Sequence, residues 1–147
     1  MTTYSFLDFS MTMTGPGGSI SLGNVAGDAK EGVTFEAVED VNKMTIGAGG
    51  DAMHSLIASK GGKATVRLLK TSPTNGLLMA MLAFQRTSSA NWGQNIIAAS
   101  DIVRGDQYSC QQVAFSKVPS NTYAQEAGMI EWNFDIGVMD QALATGI

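Results

Sequence analysis

Charged residues are scarce in this chain of 147 residues. Asp, Glu, Lys and Arg make up 15% of the sequence, whereas about 25% is usual for a soluble domain. Hydrophobic residues account for an ordinary 44%, so Ser, Thr, Asn, Gln, Gly and Ala take the place of the missing charge. Permanently covered interfaces are depleted in charge. The composition therefore fits either a monomer with a Ser- and Thr-rich surface or a chain that copies of itself cover, and we favour the second.

Disulfides, long apolar runs and a surplus of basic residues are missing as well. Cys110 is the only cysteine, so we expect no disulfide within the chain and a reducing compartment. No apolar stretch approaches the roughly 18 residues that span a membrane, and the first ten residues lack the pattern of a signal peptide. The net charge of −4 argues against tight, unspecific binding of nucleic acid, which needs clustered Lys and Arg. It is compatible with a surface along which nucleic acid slides.

Alternation of apolar and polar residues predicts strands along most of the chain. The segment LDFSMTMTGPGGSISLG indicates a hairpin, with Leu7, Phe9, Met11 and Met13 on one face. Further strands are predicted over VTFEAVED, QNIIAASDIV, QYSCQQVAFSKV and MIEWNFDIGVMD, with GNVAGDAKEG as a loop and RGD at Arg104–Asp106 as a turn. In the last strand one face carries Ile130, Trp132, Phe134, Ile136 and Val138.

A glycine-rich segment spans Asn42–Gly62. Its sequence, NKMTIGAGGDAMHSLIASKGG, predicts either two tight hairpins or one long projecting arm. Its five glycines make the segment too flexible to hold its own shape, so another surface has to hold it. A phosphate-binding loop is a poor alternative, because the glycine spacing fits neither the Walker pattern nor the dinucleotide fingerprint.

The segment ATVRLLKTSPTNGLLMAML changes from the period of a strand to that of a helix. A strand is predicted over Ala64–Lys70 and a helix over Pro73–Gln85, with Ser72 as its N-cap. The pairs Leu77/Met81 and Leu78/Leu82 predict one core-facing stripe, with Leu78 and Leu82 in the core. Strands before and after a single helix indicate a mostly antiparallel sheet, packed or closed on itself, with the helix over an open side.

No group of residues indicates a catalytic or metal site. His54 is the only histidine, whereas a zinc site needs three or four ligands, so a surface or interface histidine is the better interpretation. Cys110 has only His54 as a possible partner, and a structural cysteine on a strand is favoured over a catalytic one. The acids form two groups, Glu36, Glu39 and Asp40 in one and Asp135 and Asp140 in the other. Paired acids serve glycoside hydrolysis, but aromatics at 7% supply a sugar-binding cleft poorly. We therefore assign no catalytic residue, metal ligand or cofactor.

Four segments resemble the tail tube proteins of long-tailed bacteriophages. They are LDFSMTMTGPGGSISLG, KMTIGAGGDAMHSL, GKATVRLLKTSPTNGLLMAML and GMIEWNFDIGVMD. The similarity extends over nearly the whole chain, and TVRLLKTSPTN is its most specific part. It implies a mainly β fold, an antiparallel β-sandwich or half-open barrel with one flanking α-helix. It also implies hexameric rings that stack into a tube through which DNA is ejected. Contractile phages place a sheath around such a tube, and we favour a contractile phage.

The resemblance also implies partners and a location. We expect further copies of the chain, sheath, baseplate and tail terminator proteins as partners, with genomic DNA passing through the lumen without tight binding, and no membrane. The expected location is the tail of the virion, after synthesis in the cytoplasm of the host bacterium. The strand Ala64–Lys70 would belong to a sheet that continues from subunit to subunit, and the helix would cover its hydrophobic side.

Two sets of residues are the candidates for assembly. Contact between stacked rings is assigned to the arm, with the candidates Met44, Ile46, Gly49, Gly50, Asp51, Met53, His54 and Leu56. The polar strand faces are expected to line the lumen, with the candidates Thr34, Glu36 and Asp101. Two other functions remain open at this point: a monomeric β-sandwich module that binds carbohydrate or another ligand, and a small hydrolase that uses the scattered carboxylates.

Overall fold

The computed structural model describes residues 9–22, 28–101, 103–126 and 128–144. Leu7, predicted on the same face as Phe9, lies outside these residues. The strands are β1 (Phe9–Gly15), β2 (Gly18–Ser21), β3 (Asp28–Ala37), β4 (Asn42–Ile46), β5 (Ala52–Leu56), β6 (Gly62–Leu69), β7 (Asn95–Asp101), β8 (Gln107–Phe115) and β9 (Met129–Ala142). The helix α1 covers Thr74–Gln85, and a short 3₁₀ turn covers Ser89–Asn91.

Seven of these strands form one antiparallel sheet that curls over its own core. Their order is β2-β1-β7-β8-β9-β6-β3, while β4 and β5 pair separately. Two strands lie between β3 and β8 in that order, yet Phe35 of β3 stacks on Tyr108 of β8 with ring centroids 4.4 Å apart. Only a curled sheet brings these rings together. The sheet does not close into a barrel, so β2 and β3 are its edges. The mainly β, antiparallel fold with one helix is thereby confirmed.

Alternate residues of the strands fill the core, as their period predicts. The inward residues include Met11 and Met13 of β1, which are fully buried. From β6, β7 and β9 the core receives Ala64, Val66, Leu68, Ile97, Ala99, Ile130, Trp132, Phe134 and Ile136. Because one face of each strand is apolar and the other polar, a shift of pairing by one residue would expose the whole apolar set.

The strand β3 begins earlier than the sequence pattern indicates. It covers Asp28–Ala37, although its first five residues fall in the predicted loop and its predicted end was Asp40. Asp28 pairs with Leu68 of β6, and the next pair is Val33 with Val66. Five steps along β3 therefore oppose two along β6, and these extra residues interrupt the alternation by which a strand is recognised.

The strand β9 changes the face it buries after Ile136. Met139, and not Val138, packs against the core, so the prediction for Val138 is wrong. The neighbouring strand carries Gln112 with a positive φ of 54°, and a Cβ on Gly137 would come within 2.7 Å of the Gln112 side chain. A left-handed residue beside a glycine lets the strands reverse their faces at this level, as in a β-bulge.

Helix α1 starts at Thr74, one residue later than predicted, so Pro73 and not Ser72 occupies the N-cap position. Pro73 has helical angles, with φ −65° and ψ −18°. The Oγ atom of Ser72 accepts a hydrogen bond from the backbone N–H of Thr74 at 3.3 Å, which satisfies one of the N–H groups that a helix start leaves unpaired. The side chain of Asn75 ties this first turn to the sheet, because its Oδ1 accepts a bond of 3.0 Å from the indole N–H of Trp132.

The stripe that α1 buries differs from the predicted one at Leu77. Leu78 is 0% exposed and Leu82 is 3% exposed, whereas Leu77 is 57% exposed. The buried stripe also includes Gln85, which is fully buried. Successive residues lie about 100° apart around a helix. When Gln85 and Leu78 point into the core, Leu77 therefore lies to one side of the buried face.

Two buried amides join the end of this helix to the sheet. Gln85 Nε2 donates to Asn95 Oδ1 at 2.7 Å, and Asn95 Nδ2 donates back to Gln85 Oε1 at 3.0 Å. Gln85 Nε2 also donates to the carbonyl oxygen of Pro16, in the turn between β1 and β2, at 2.9 Å. A Cβ on Gly15 would lie 1.9 Å from Asn95 Oδ1, so glycine is required where the strand passes this pair.

Replacing Leu78 or Leu82 with Ala is expected to lower the free energy of unfolding by about 2–5 kcal/mol, because burial is lost and a cavity remains. Urea denaturation followed by circular dichroism measures the change. Leu77→Ala is the matched control, since its exposed side chain should matter by about 0.5 kcal/mol or less. An equal loss of stability in all three variants would contradict this description of the helix.

Candidate assembly surfaces

The glycine-rich segment forms a single hairpin that extends beyond the sheet. Strands β4 and β5 pair from Asn42↔Leu56 to Ile46↔Ala52. The chain enters and leaves this hairpin from β3 and β6, which are themselves paired, and the backbone N–H of Ile57 bonds the carbonyl oxygen of Val41 at 2.9 Å. This bond lies between the β3–β6 pair and the separate β4–β5 pair, and the segment forms one hairpin rather than two.

On one side of the arm, apolar side chains lie beside Asn42 and His54 and stay exposed within the part of the chain that the structure describes. Cross-strand partners share a face, so Met44 lies with His54 and Ile46 lies with Ala52. We call the apolar set Met44, Ile46, Ala52 and Leu56 the hairpin face. Leu56 is 90% exposed and Ile46 is 61% exposed. An isolated two-stranded hairpin is marginally stable in water, so a surface that covers the hairpin face would stabilise the arm.

The eight predicted arm residues separate into three places. Met44, Ile46, His54 and Leu56 share one side of the hairpin, where Asn42 Nδ2 lies 3.2 Å from His54 Nδ1. Met53 lies on the other side of the hairpin, where Thr45 is its cross-strand partner. Gly49, Gly50 and Asp51 are in the turn at the tip, where Gly50 has a φ of 88° and the Gly47 N–H bonds the Asp51 carbonyl oxygen at 2.8 Å.

The outward face of the sheet is polar, and two of the three predicted lumen residues lie on it. Thr34 Oγ1 accepts a hydrogen bond from Arg67 Nη1 at 3.2 Å, and Arg67 Nε lies 3.6 Å from Glu131. Glu36 is exposed and pairs across the strands with Lys63. The strands β1, β2, β7 and β8 contain no charged residue except Asp101, so half of this face consists of Ser, Thr, Ala and Gln with Ile96.

Asp101 does not belong to that face, and its placement on a polar strand face is wrong. Its side chain is 6% exposed and points to the same side as the buried residues of β7. Its Oδ1 accepts a hydrogen bond from the backbone N–H of Arg104 at 3.0 Å, and its carbonyl oxygen accepts one from the N–H of Gly105 at 2.7 Å. Asp101 therefore holds the predicted Arg104–Asp106 turn, in which Gly105 has a φ of 85°.

A second apolar surface, which was not predicted from the sequence, lies on the outer side of α1. Leu77 is 57% exposed and Phe84 is 50% exposed, and Ala80 lies between them on the same side of the helix. We call Leu77, Ala80 and Phe84 the helix stripe. The signal was present in the sequence, because TNGLLMAMLAFQ contains no charged residue, whereas a helix that faces water normally carries charge on its outer side.

The residues considered for chemistry lie apart from one another. Cys110 is buried in β8, while His54 is exposed on the arm. Within the described ranges, no three or more His, Cys, Asp and Glu side chains are grouped so that they could hold a metal ion. None of the helical segments in those ranges reaches the length and hydropathy that crossing a bilayer requires.

This chain is a tail tube protein by the family to which its sequence belongs. The chain belongs to the bacteriophage PhiTE tail tube protein family, whose model matches residues 1–144. This confirms the resemblance found in the sequence. Among curated proteins, none matches the chain.

Solved structures of contractile injection systems have a similar fold. A tube-terminating cap of the anti-feeding prophage AFP matches with a TM-score of 0.57 at 10% identity, over 98% of this chain and 95% of that one. A chain of the extended PVC sheath-tube complex matches with a TM-score of 0.58 at 11% identity, over 97% and 93%. A chain of the PVC sheath/tube terminator matches with a TM-score of 0.55 at 10% identity, over 97% and 98%. At these identities the similarity shows the fold alone.

We expect Cys110 to be unreactive in the folded protein. Burial, together with the smaller effect of the nearby Asp140 carboxylate, raises the pKa of its thiol to about 11. Since the thiolate is the reactive form, only about 1% would be ionised at pH 9. Labelling with a thiol reagent at pH 9 should be slow in buffer and fast in 8 M urea. Equal rates in both would contradict the burial of this thiol.

Proposed function

We propose that this chain is the subunit of a contractile tail tube, in which hexameric rings stack to form the channel for DNA ejection. Membership of a tail tube family supports the role in a tube. The observation that carries assembly is the arm, whose apolar face is exposed in the single chain and would be covered in a stack. The scarcity of charge, at 15%, follows from the same role because covered surfaces are poor in charge.

The open edges of the sheet are suited to closing a ring. Strands β2 and β3 lie at opposite edges of the same sheet, and an edge strand offers unpaired N–H and C=O groups along one side. When the edge strand of one subunit meets the other edge of the next, the contact is heterologous, and such contacts close into a ring if the rotation permits. In this proposal the polar outward face, together with its neighbours around the ring, forms the wall of the lumen.

The proposed wall would favour rapid passage of DNA over binding. Six chains with a net charge of −4 each give about −24 per ring before screening. Among the outward side chains that the structure describes, Glu36, Glu131 and Asp135 outnumber Lys63 and Arg67. A slightly acidic wall repels phosphate over roughly 8 Å at physiological salt, and these described side chains include no cluster of cations that would retain DNA.

The partners follow from the same role. We propose a sheath around the tube, a terminator at its end and a baseplate below, within the tail of a virion assembled in the host bacterium. The fold supports the first two, because it is shared with chains solved in a sheath-tube complex and in a sheath/tube terminator. The chain itself would have a structural role without catalysis or cofactor.

Negative-stain microscopy of the purified protein tests this function. We expect rings or tubes, with single rings near 92 kDa by light scattering if six chains of about 15.4 kDa assemble. The matched variant replaces Asn42–Leu56 with Asn-Gly, a two-residue turn that suits the paired Val41 and Ile57. It should give single rings or soluble subunits without tubes. Featureless monomers of the native chain would contradict the function, and long tubes of the variant would contradict the role of the arm.

Changing Glu36 to Lys tests the lumen wall. If Glu36 lines the channel, six added cations per ring should retain DNA by releasing its counterions, and ejection from phage that carry this variant should slow while the tubes stay intact. Glu36→Lys also places a cation opposite Lys63, which costs about 0.2–1 kcal/mol. Glu36→Gln is therefore the control, and it should eject DNA at close to the normal rate. Normal ejection by both variants would remove Glu36 from the wall.

A further inference from the structure

Two uncovered apolar surfaces, the hairpin face and the helix stripe, occur on the same chain. Both are exposed within that chain: Met44 is 53% exposed on the arm, and Leu77 is 57% exposed on the helix. Neither surface therefore covers the other in one subunit. We infer that the hairpin face of one subunit docks on the helix stripe of a second copy. This docking rests on the proposed function, because it names the surface that receives the arm in a stack of rings.

The helix stripe has the composition of a surface that is buried on assembly. Leu77, Ala80 and Phe84 follow at intervals of three and four residues, so they lie in one row along the helix. The twelve residues of α1 include no Asp, Glu, Lys or Arg. A covered surface of this kind requires no desolvation of charge when the partner arrives.

The dimensions of the two surfaces agree. Adjacent strand residues are about 3.4 Å apart, so the four steps from Asn42 to Ile46 give the hairpin face a length of about 14 Å. Each helical residue rises about 1.5 Å, so the helix stripe from Leu77 to Phe84 measures about 10 Å. One hairpin face therefore covers one helix stripe from end to end.

Charge favours one of the two orientations of the arm along the helix. Asp51 is exposed at the tip of the arm, and Arg86 is exposed immediately after the last helical residue. An arm whose tip points to the end of the helix brings this acid and this base together. The same orientation places Met44, in the middle of the hairpin face, opposite Ala80 in the middle of the helix stripe.

A second copy is the occupant that these observations favour. Each chain carries one arm and one helix stripe, so every docking leaves a free arm at one end and a free stripe at the other. Such a heterologous contact propagates, which is what a stack of rings needs. A sheath protein on the helix stripe is the competing occupant, and the experiments below distinguish the two.

Paired cysteines test the contact directly. The double variant Met44→Cys with Ala80→Cys should form covalent dimers and higher multimers when assembled tubes are oxidised, since each chain then carries both halves of the contact. The buried Cys110 should stay silent. Thr45→Cys with Ala80→Cys is the matched control: Thr45 lies on the opposite side of the hairpin, so its yield of multimers should be at least fivefold lower.

Each outcome of the crosslinking supports or overturns the docking. A ladder of multimers in the first double variant alone supports it. Tubes without that ladder, an equal ladder in the control, or dimers from Met44→Cys alone would overturn the docking while leaving the tube function intact. Failure of the native chain to form rings or tubes would overturn both.

A charge introduced on the helix tests the stripe by an independent route. Leu77→Glu should reduce the yield of tubes at least tenfold and leave single rings, because a carboxylate would be buried under the arm. Met79→Glu is the matched control, since Met79 is 43% exposed but points about 160° away from Leu77 around the helix. Both variants should unfold at temperatures close to that of the native chain. Normal tubes with Leu77→Glu would overturn the docking and leave the helix stripe free for a sheath protein.

Reversing the charges tests the orientation. Asp51→Arg and Arg86→Asp should each lower the yield of tubes by severalfold, and the two changes combined in one chain should restore it. Normal yields in both single variants would overturn this orientation of the arm.

Discussion

The reciprocal amide pair of Gln85 and Asn95 sets how helix α1 lies on the sheet. Both side chains are fully buried, and each donates to the other while Gln85 also reaches Pro16. A buried amide without a partner costs about 1–3 kcal/mol. The three hydrogen bonds form together only when the helix, the β1–β2 turn and the start of β7 take one particular arrangement, so this cost favours that arrangement. That arrangement turns Leu78 inward, and it leaves Leu77 and Phe84 uncovered.

The surfaces that the fold leaves uncovered explain why the chain has so little charge. A monomer needs charge on its outside to stay soluble, yet the arm and the outer side of the helix present mainly apolar groups, and half of the outward sheet face is uncharged. The two residues considered for catalysis lie in different environments, because His54 is exposed on the arm and Cys110 is buried in β8.

Much of the fold and part of the candidate surfaces were predictable from local patterns. The alternation in MIEWNFDIGVMD identified the core face of β9 as far as Ile136, and the sequence SP before a helical period located the start of α1 to within one residue. The glycine-rich arm was predictable because its glycines and its weak charge lie in one continuous segment. The errors at Val138 and in β3 both lie beside a shift in strand register, of β8 against β7 in the first case and of β3 against β6 in the second. Such a shift changes which face a residue occupies without changing the type of residue.

The amino-acid sequence by itself determined the class of fold, the family, the position of the arm and the absence of charge from the helix, because each depends on neighbours along the chain. Only the tertiary structure decided which side a residue faces when its contacts are with residues far away in the sequence. Asp101 has the sequence surroundings of a polar strand end, but it is buried because it holds a turn through Arg104 and Gly105. Gln85 looks like an ordinary end of a helix, and it is buried because Asn95, ten residues further on, and Pro16, in a different hairpin, meet it across the core. Hydrogen bonds between segments so far apart leave no periodic mark in a sequence, and they decide which apolar residues of the helix remain exposed.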